Sequence, residues 1–469
     1  MATVADSIPE FLGLLEGTAR VEGGRLHVTD EAGFRARTIH DLAWTQTFSP
    51  DPATVEAARW LIWEASQELG CPSASIHELY AARSRGEVSG FTVPAINLRA
   101  QTFDMARTIF STARAKGVGP VILELARSEQ TYTFQRVFEY APNILAGAIA
   151  AGWRGPVFIQ GDHYQFNAKR YAADPEAMTE DIRKACRDAV AAGYLNIDID
   201  SSTLVDLSQP SVDLEQKVNY TVAAGIAALI RQLEPEGVTI SIGGEIGEVG
   251  KTNSTIEDLR AYLDGFRREL DARAPGAIGV SKVSVQTGTS HGGIPLPDGG
   301  VAPVKLDFSV LKDLGEIGRA EYGIAGAVQH GASTLPDNLF HTFPTVETAE
   351  IHLATGFQNA LYDHPAFPAD LMAEITEWVR VNAADERKNG QTDSQFVYSS
   401  RKKAIGPFKR QLWELASKED ILASQAEKIA YLFDQLKVSG TADLIRFVTT
   451  PAWHRPLPDA LAGVVPAAG

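Results

Sequence analysis

The chain has 469 residues, of which 44% are hydrophobic and 22% are charged, and its formal net charge is −16. This length suits one large domain with additions or about two to three average domains, and the composition is that of a globular protein. The acidic balance argues against a nucleic-acid partner, because binding phosphates requires a basic surface. Cys71 and Cys186 are the only cysteines, which excludes a disulfide framework and a cysteine-based zinc site.

Two further patterns bear on the location of the protein. The opening residues, MATVADSIPEFLGLL, lack the basic and apolar regions of a secretory signal. The longest apolar runs, such as 221–230, are too short to span a bilayer, and so few cysteines fit a reducing compartment. We therefore expect a cytoplasmic enzyme without a membrane partner.

The elements follow a regular order after a mixed beginning. Residues 1–87 combine possible strands at 19–28 with helices such as 52–69. From about residue 88, short β-branched runs alternate with helix-length segments, which predicts βαβ units. The strand candidates are almost wholly apolar, as parallel strands covered on both faces are. They are 92–97, 120–126, 156–163, 195–202, 238–247, 283–288, 325–333 and 356–363.

One predicted helix illustrates the signal between the strands. Asp174 can cap the first turn, Pro175 suits the first helical position, and Gly193 suits the stop. Between them, apolar residues recur on one face at positions 178, 182, 186, 189 and 190. Eight such alternations favour an α/β fold in the form of a closed (β/α)8 TIM barrel over an open sheet.

The remaining chain predicts extensions on both sides of the barrel. After residue 365 the pattern is helical, at 368–382, 406–417 and 421–436. The proline-rich tail from residue 450 predicts no regular packing. We expect a mainly helical N-terminal extension at 1–75, a catalytic barrel domain at 76–365 and a helical C-terminal extension at 366–469.

Polar residues at the predicted strand ends are the candidates for chemistry, because barrel enzymes carry their sites there. Three of them are histidines, His163, His291 and His330, from the third, sixth and seventh strands. Neutral imidazole is a preferred zinc ligand, and three protein ligands with an open position make a catalytic site. Any one of them alone would more often be a hydrogen-bonded loop histidine. Three together favour a metal site.

The neighbours of these histidines add to the pattern. Gly292 and Gly331 directly follow two of them and allow the backbone to approach a ligand. Asp162 has two interpretations: it orients His163 or caps a helix, or it is a general base beside the metal. Glu245 and Glu248, in GGEIGEVGK, are either solvated loop charges or site residues.

Several segments resemble, in order, motifs of the class II, zinc-dependent ketose-bisphosphate aldolases. FTVPAINLRA and PVFIQGDH are similar to the first and third strands of that family, and GGEIGEVG is similar to its glutamate loop. TGTSHGG and VQHGASTLPDN are similar to its sixth- and seventh-strand signatures, so the match runs from about residue 76 to 365. ILELARSE and GDHYQFN also resemble the accessory subunit of tagatose-bisphosphate aldolase, a branch linked to ketose-phosphate epimerisation.

The resemblance implies a divalent metal cofactor, Zn2+ or another ion, held by His163, His291 and His330. It implies that Asp162 is the catalytic base for the substrate's C4 hydroxyl. We also predict Glu245 and Glu248 among the catalytic residues. The predicted substrate-binding residues are Asn97, Asp200, Ser202, Gly292, Gly331, Ser333 and Asp363.

Two departures from the family pattern concern phosphate binding. Ala126 stands where a serine is common. The family's eighth strand ends in an asparagine, acid, threonine pattern that binds phosphate, whereas the predicted eighth strand runs into LYDH at 361–364. The metal ligands and the base are thus kept while the phosphate site is altered.

The sequence therefore predicts a metal-dependent aldolase that reversibly cleaves the C3–C4 bond of a ketose or ketose phosphate through a zinc-stabilised enediolate. A ketose or ketose-phosphate epimerase that uses retro-aldol and aldol steps at the same metal is one alternative. A non-catalytic partner subunit of an aldolase is another. The expected partners are a small-molecule sugar or sugar phosphate and, because barrels of this family commonly pair, a second copy of the chain in a homo-oligomer.

Overall fold

The computed structural model of the protein describes residues 2–246, 252–288 and 306–463. Eight parallel strands form a closed barrel at its centre. The barrel closes because the eighth strand pairs in parallel with the first, with Val93 opposite Glu350. The predicted (β/α)8 barrel is therefore confirmed. In chain order the barrel strands are Val93–Asn97, Ile122–Ala126, Val157–Gln165, Asn196–Asp200, Ser241–Glu245, Lys282–Ser284, Ala327–Gln329 and Glu350–Leu353.

The eighth strand lies earlier in the chain than predicted. Residues 356–362 fall in helix Thr355–Tyr362, and the strand is Glu350–Leu353. The prediction was wrong because this strand carries an acid and a histidine, Glu350 and His352, which are both buried. Two such residues in four hide the apolar pattern of a barrel strand.

Helices surround the barrel as the alternating pattern predicted. Helix Pro175–Ala192 begins where the Asp174 side chain accepts the Ala177 N–H at 3.0 Å, and it ends at Gly193 with a φ of 103°. The longer barrel helices are Thr102–Lys116, Val137–Ala150, Pro175–Ala192, Val212–Leu233, Ile256–Arg273, Phe308–Tyr322 and Thr355–Tyr362. Short helices at Glu129–Tyr132 and Ala168–Ala173 lie in the loops after the second and third strands.

The N-terminal residues pack directly on the barrel. Helices Ile39–Phe48 and Pro52–Glu68 lie against barrel helix Val137–Ala150, and strands Ala19–Glu22 and Arg25–Val28 form an antiparallel hairpin. One hydrophobic core includes residues of these elements and of the barrel. The other N-terminal elements are Ile8–Gly13, Glu31–Gly33, the π-helix Phe34–Thr38, the short strand Ser73–Ala74 and helix His77–Ser84.

The C-terminal residues are helical, as predicted. Helix Lys418–Gln435 packs on barrel helix Thr102–Lys116, and a second hydrophobic cluster lies among the helices that follow the barrel. The boundaries predicted at 75 and 365 stay predictions. The C-terminal α-helices are Ala369–Asn382, Asp393–Ser400, Lys409–Trp413, Lys418–Gln435 and Asp459–Ala462. Within the described ranges, no helix combines the length and apolarity needed to cross a membrane.

Candidate active site

A β-bulge in the third strand changes the direction of two adjacent side chains. Successive residues of a regular strand face opposite sides of the sheet, so Asp162 and His163 would normally point apart. From Gly161 to Tyr164 the strand advances three residues while its fourth-strand partner advances two, and His163 has a left-handed φ of 43°. A bulge of this kind re-aims side chains, and positive φ at a residue other than glycine is strain that clusters at functional sites.

Two of the predicted metal ligands lie together with the predicted base. The ring centroids of His163 and His330 are 4.4 Å apart. Asp162 Oδ1 lies 3.8 Å from His163 Nε2 and 3.6 Å from His330 Nε2. One ligand atom from each of the three residues lies within 4.8 Å of the others, a spacing that could hold a metal ion. The third and seventh strands therefore deliver a compact donor group to the barrel mouth.

Two acids face the other side of the His163 ring. His163 Nδ1 lies 2.9 Å from Asp200 Oδ2 and 3.4 Å from Glu245 Oε2. Ser202 donates to Asp200 Oδ1 through its backbone N–H at 3.2 Å and through its hydroxyl at 2.7 Å. A carboxylate behind a ligating histidine fixes the ring and its tautomer. Asp200 and Ser202, which we predicted to contact substrate, are thus placed to orient His163.

The structure adds a histidine that the sequence did not point to, His352 on the eighth strand. Its ring centroid lies 4.2 Å from that of His330. His352 Nδ1 is 3.0 Å from Glu124 Oε2 and 3.4 Å from Asp162 Oδ1. It was missed because the eighth strand was placed too far along the chain. A histidine two residues after an acid, in EIHL, was the available signal.

Asn97 lies at the end of the first strand beside an ion pair. Its Nδ2 donates to Glu129 Oε2 at 2.6 Å, and Arg99 binds the other oxygen of the same carboxylate, also at 2.6 Å. The Asn97 Oδ1 atom is buried and accepts no hydrogen bond from the described residues. An unsatisfied buried acceptor is costly, so this oxygen is a position for a donor such as a substrate hydroxyl.

The loops after the seventh and eighth strands meet near His330. Gly331 adopts a left-handed φ of 70°, and the Ser333 hydroxyl accepts the Gly356 N–H at 3.2 Å. Asp363 does not join this group. It follows helix Thr355–Tyr362 and accepts from Arg401 at 2.5 and 2.9 Å, with its side chain 55% exposed. Its prediction depended on the misplaced eighth strand.

Three predicted site residues, Glu248, His291 and Gly292, lie outside the described residues. The departure from the family's eighth-strand pattern was also placed at the wrong residues, 361–364. The residues that end the true strand and follow it, 352–355, read HLAT. They supply a threonine but neither the asparagine nor the acid of the family pattern.

Burial and charge set the protonation of the cluster. Burial alone would raise the pKa of Asp162, but His163, His330 and His352 outweigh it and hold that pKa well below its usual range. Burial lowers the pKa of His330, and the neighbouring histidines lower it further. Burial raises the pKa of Glu245 to about 7. An ionised Asp162 and a neutral His330 are the forms that a base and a metal ligand require.

The donor atoms fit a divalent cation. The ring nitrogens of His163 and His330 are of the type that zinc prefers, and the Glu245 carboxylate offers an oxygen donor beside them. His163, Asp200 and Glu245 form a second group whose ligand atoms lie within 4.8 Å of one another. Mixed nitrogen and oxygen donors of this kind suit zinc and other divalent metals.

Comparison with known proteins identifies the family. The family model described as fructose-bisphosphate aldolase class-II matches residues 79–409. The chain belongs to the class II fructose-bisphosphate aldolase family. Class II aldolases are carbon–carbon lyases that generally depend on a divalent metal, and the match includes the part of the C-terminal helices that precedes residue 410.

Solved structures resemble this aldolase-family chain at low identity. A probable tagatose 6 phosphate kinase from Sinorhizobium meliloti 1021 has a TM-score of 0.50 and 18% identity, covering 80% of this chain and 97% of that one. The fructose-bisphosphate aldolase of Campylobacter jejuni has a TM-score of 0.46 and 16% identity, covering 79% and 96%. At 18% identity the likeness to the first of these structures shows the fold alone. No protein of curated function matches the sequence.

Proposed function

We propose that this family member is a metal-dependent aldolase that reversibly cleaves the C3–C4 bond of a ketose or ketose phosphate. The observation that carries the proposal is the convergence of His163 and His330 on Asp162 at the barrel mouth, within 3.6 to 3.8 Å of its Oδ1. An acid beside two imidazoles in a fold of this family is the arrangement that such a cleavage needs.

His163 and His330 would hold the metal, with Glu245 beside them and His291 as a further predicted ligand. When bound, the divalent ion supplies Lewis-acid polarisation of the substrate's oxygen atoms. Asp200 keeps the His163 ring in place from its Nδ1 side. The chain thus provides a ligand set that is oriented before the metal and the substrate arrive.

Asp162 acts as the base in cleavage. Its carboxylate takes the proton of the substrate's C4 hydroxyl, the C4–O bond becomes a carbonyl, and the C3–C4 electron pair remains on the other fragment. In the synthesis direction Asp162 returns the proton. The Asn97 Oδ1 atom accepts a hydroxyl of the bound fragment. Gly331 and Ser333 line the loop that holds its far end.

An epimerase is the second candidate, and the altered phosphate site favours it. After the same bond cleavage, a fragment that turns before it is re-added inverts the configuration at C4. Ala126 and the HLAT sequence at 352–355 depart from the family's phosphate-binding pattern. A fragment turns more readily when no phosphate contacts hold that end of it.

The test is to incubate the zinc-reconstituted protein with ketoses and ketose phosphates and to follow carbon-13 signals by NMR. Free triose products support the aldolase, and one new hexose without released trioses supports the epimerase. The Asp162→Asn variant is the control, since it should abolish either reaction. Absence of both reactions in fully metal-loaded wild-type protein, across the sugar panel, would contradict the proposed function.

A further inference from the structure

A layer of buried charged and polar side chains fills the barrel below the metal site. TIM-barrel interiors are usually packed with branched apolar residues. Here the side chains come from the second, third, fourth, sixth and eighth strands, and each is at most 6% exposed. We call this group the buried ionic layer. It consists of Glu124, Gln160, Asp198, Lys282, Glu350 and His352.

Lys282 and Glu350 form the centre of the layer. Lys282 Nζ donates to Gln160 Oε1 at 2.8 Å, lies 3.1 Å from Asp198 Oδ2 and pairs with Glu350. Gln160 Nε2 donates to Glu350 Oε1 at 2.9 Å, and the Tyr80 hydroxyl donates to the other oxygen. The Glu350 carboxylate is therefore held from several directions and has little freedom to turn.

Such a layer is expensive to bury. Each ion costs several kcal/mol to remove from water, and apolar side chains of similar volume are often as stable or more stable. Stability alone therefore does not account for it. The layer also lies directly beneath the group of Asp162, His163 and His330, and one residue of the layer contacts that group.

His352 is the link. Its Nε2 lies 2.8 Å from Glu350 Oε1, and its Nδ1 lies 3.0 Å from Glu124 Oε2 and 3.4 Å from Asp162 Oδ1. Carboxylate oxygens thus lie close to the ring on both of its sides. Asp162 is on the third strand and His352 on the eighth, which are not neighbours in the sheet, so the contact spans the barrel interior.

We propose that His352 is a positioning residue, which holds the Asp162 carboxylate against the histidines of the site while Glu350 and Lys282 fix its ring. The inference rests on the proposed function, in which Asp162 is the base. Misplacing a reacting group by about 1 Å can lower the rate by about 10²-fold. The buried charges thus serve to position the Asp162 carboxylate accurately and not to stabilise the fold.

Two amide variants separate the two sides of the ring. The side-chain nitrogen of asparagine stands near the place of the histidine Nδ1, and that of glutamine near the place of Nε2. His352→Asn therefore keeps a donor toward Asp162 and loses the Glu350 contact. His352→Gln keeps the Glu350 contact and loses the donor toward Asp162. The two variants are matched in chemistry and in loss of the ring.

The experiment measures kcat and KM of both zinc-loaded variants on the substrate found by the NMR screen. We expect His352→Asn to stay within about tenfold of the wild-type kcat. We expect His352→Gln to lose about 10²-fold in kcat with little change in KM. Equal losses in both, or a larger loss in His352→Asn, would overturn the proposal. If His352→Gln does not fold, the kcat of His352→Asn tests the proposal alone. A loss of more than about tenfold would then overturn it.

Crystal structures of the two zinc-loaded variants supply a readout that needs no substrate. The proposal predicts the wild-type orientation of the Asp162 carboxylate in His352→Asn and a turned carboxylate in His352→Gln. An unmoved Asp162 in His352→Gln would overturn it. Wild-type protein that converts no ketose contradicts the proposed function only, so the two failures are distinguishable.

Discussion

The β-bulge around His163 determines the directions of the Asp162 and His163 side chains. Because strand residues alternate in direction, Asp162 and His163 can face the same site only where the register slips by one residue. Gly161 permits the slip: a Cβ atom there would lie 2.3 Å from Cε2 of Tyr164. Tyr164 is fully buried, so its ring cannot easily move away.

Replacement of Gly161 by alanine tests this dependence. The added methyl group overpacks the bulge, and we expect Gly161→Ala to lower the free energy of unfolding by about 1–3 kcal/mol and to weaken zinc binding. Chemical denaturation and zinc titration measure both quantities. Gly13→Ala is the matched control, because a Cβ there meets no atom within 4 Å. A Gly161→Ala protein with wild-type stability and zinc affinity would contradict the role of the bulge.

Asp162→Asn tests the assignment of the base. The amide keeps the shape of the side chain but cannot take the C4 proton, so kcat should fall by about 10²- to 10⁴-fold while zinc content stays near that of the wild type. Steady-state kinetics and elemental analysis check the two expectations. Loss of zinc together with activity would make Asp162 a ligand rather than the base.

His77 makes a pH-dependent contribution to the free energy of unfolding. Its Nδ1 lies 2.8 Å from Ser281 Oγ, and burial, with a smaller effect of Arg231, lowers its pKa to about 4 from 6.5. Because the folded pKa is below the unfolded one, the stabilisation is present above pH 6.5 and is lost as the pH falls toward 4. At pH 5 the loss is about 2 kcal/mol.

His77→Asn checks that contribution, since the amide keeps a polar atom near the place of Nδ1 and does not titrate. Denaturation at pH 7 and pH 5 should show a smaller acid-induced loss of stability in the variant than in the wild type. Equal losses in the two proteins would show that His77 does not carry the effect.

At the scale of single residues, the sequence indicated His163, His330 and Asp162 because each follows an apolar run and two of the three histidines precede glycine. The EIHL signal for His352 was missed with the eighth strand. Lys282 and Asp198 gave no signal, because nothing in a sequence distinguishes a charged residue inside a barrel from one on the surface. Their burial depends on partners from other strands, such as Glu350 for Lys282.

At the scale of elements, seven barrel strands were predicted near their observed positions, whereas the eighth, with Glu350 and His352 among its four residues, was not. The C-terminal tail is a second case. Prolines in the tail predicted no regular packing, yet it lies on helix Pro52–Glu68: Trp63 Nε1 donates to the Trp453 carbonyl at 2.6 Å and Trp60 Nε1 to the Arg455 carbonyl at 3.1 Å. Long-range contacts of this kind leave no local pattern in the sequence.

Truncation after residue 448 should therefore destabilise the protein. It leaves two buried indole N–H groups without acceptors, and each such group costs about 1–3 kcal/mol of stability. It also removes the Trp453 ring, whose edge contact with Trp63 has a centroid distance of 5.1 Å. Thermal and chemical unfolding measure the loss. A truncation after Gly463 keeps these contacts and is the control. If both truncations unfold alike, the tail does not stabilise the helix.

At the scale of the whole molecule, the barrel and the order of its strand-end motifs were predictable because the family's motifs recur along most of the chain, and the family match at residues 79–409 agrees with them. The extensions were not predictable in the same way. Their packing on the barrel, through helices such as Ile39–Phe48 and Lys418–Gln435, depends on surfaces that only the fold brings together.

Zinc binding tests the central claim most directly, namely that imidazoles from separate strands hold one divalent ion beside Asp162. Chelator-stripped protein is titrated with zinc, and bound metal is measured after dialysis. We predict about one equivalent for the wild type and for His341→Ala, a control at an exposed histidine, and less than half an equivalent for the double variant His163→Ala/His330→Ala. Wild-type protein that binds less than half an equivalent after reconstitution, or a double variant that binds as much as the wild type, would contradict the account.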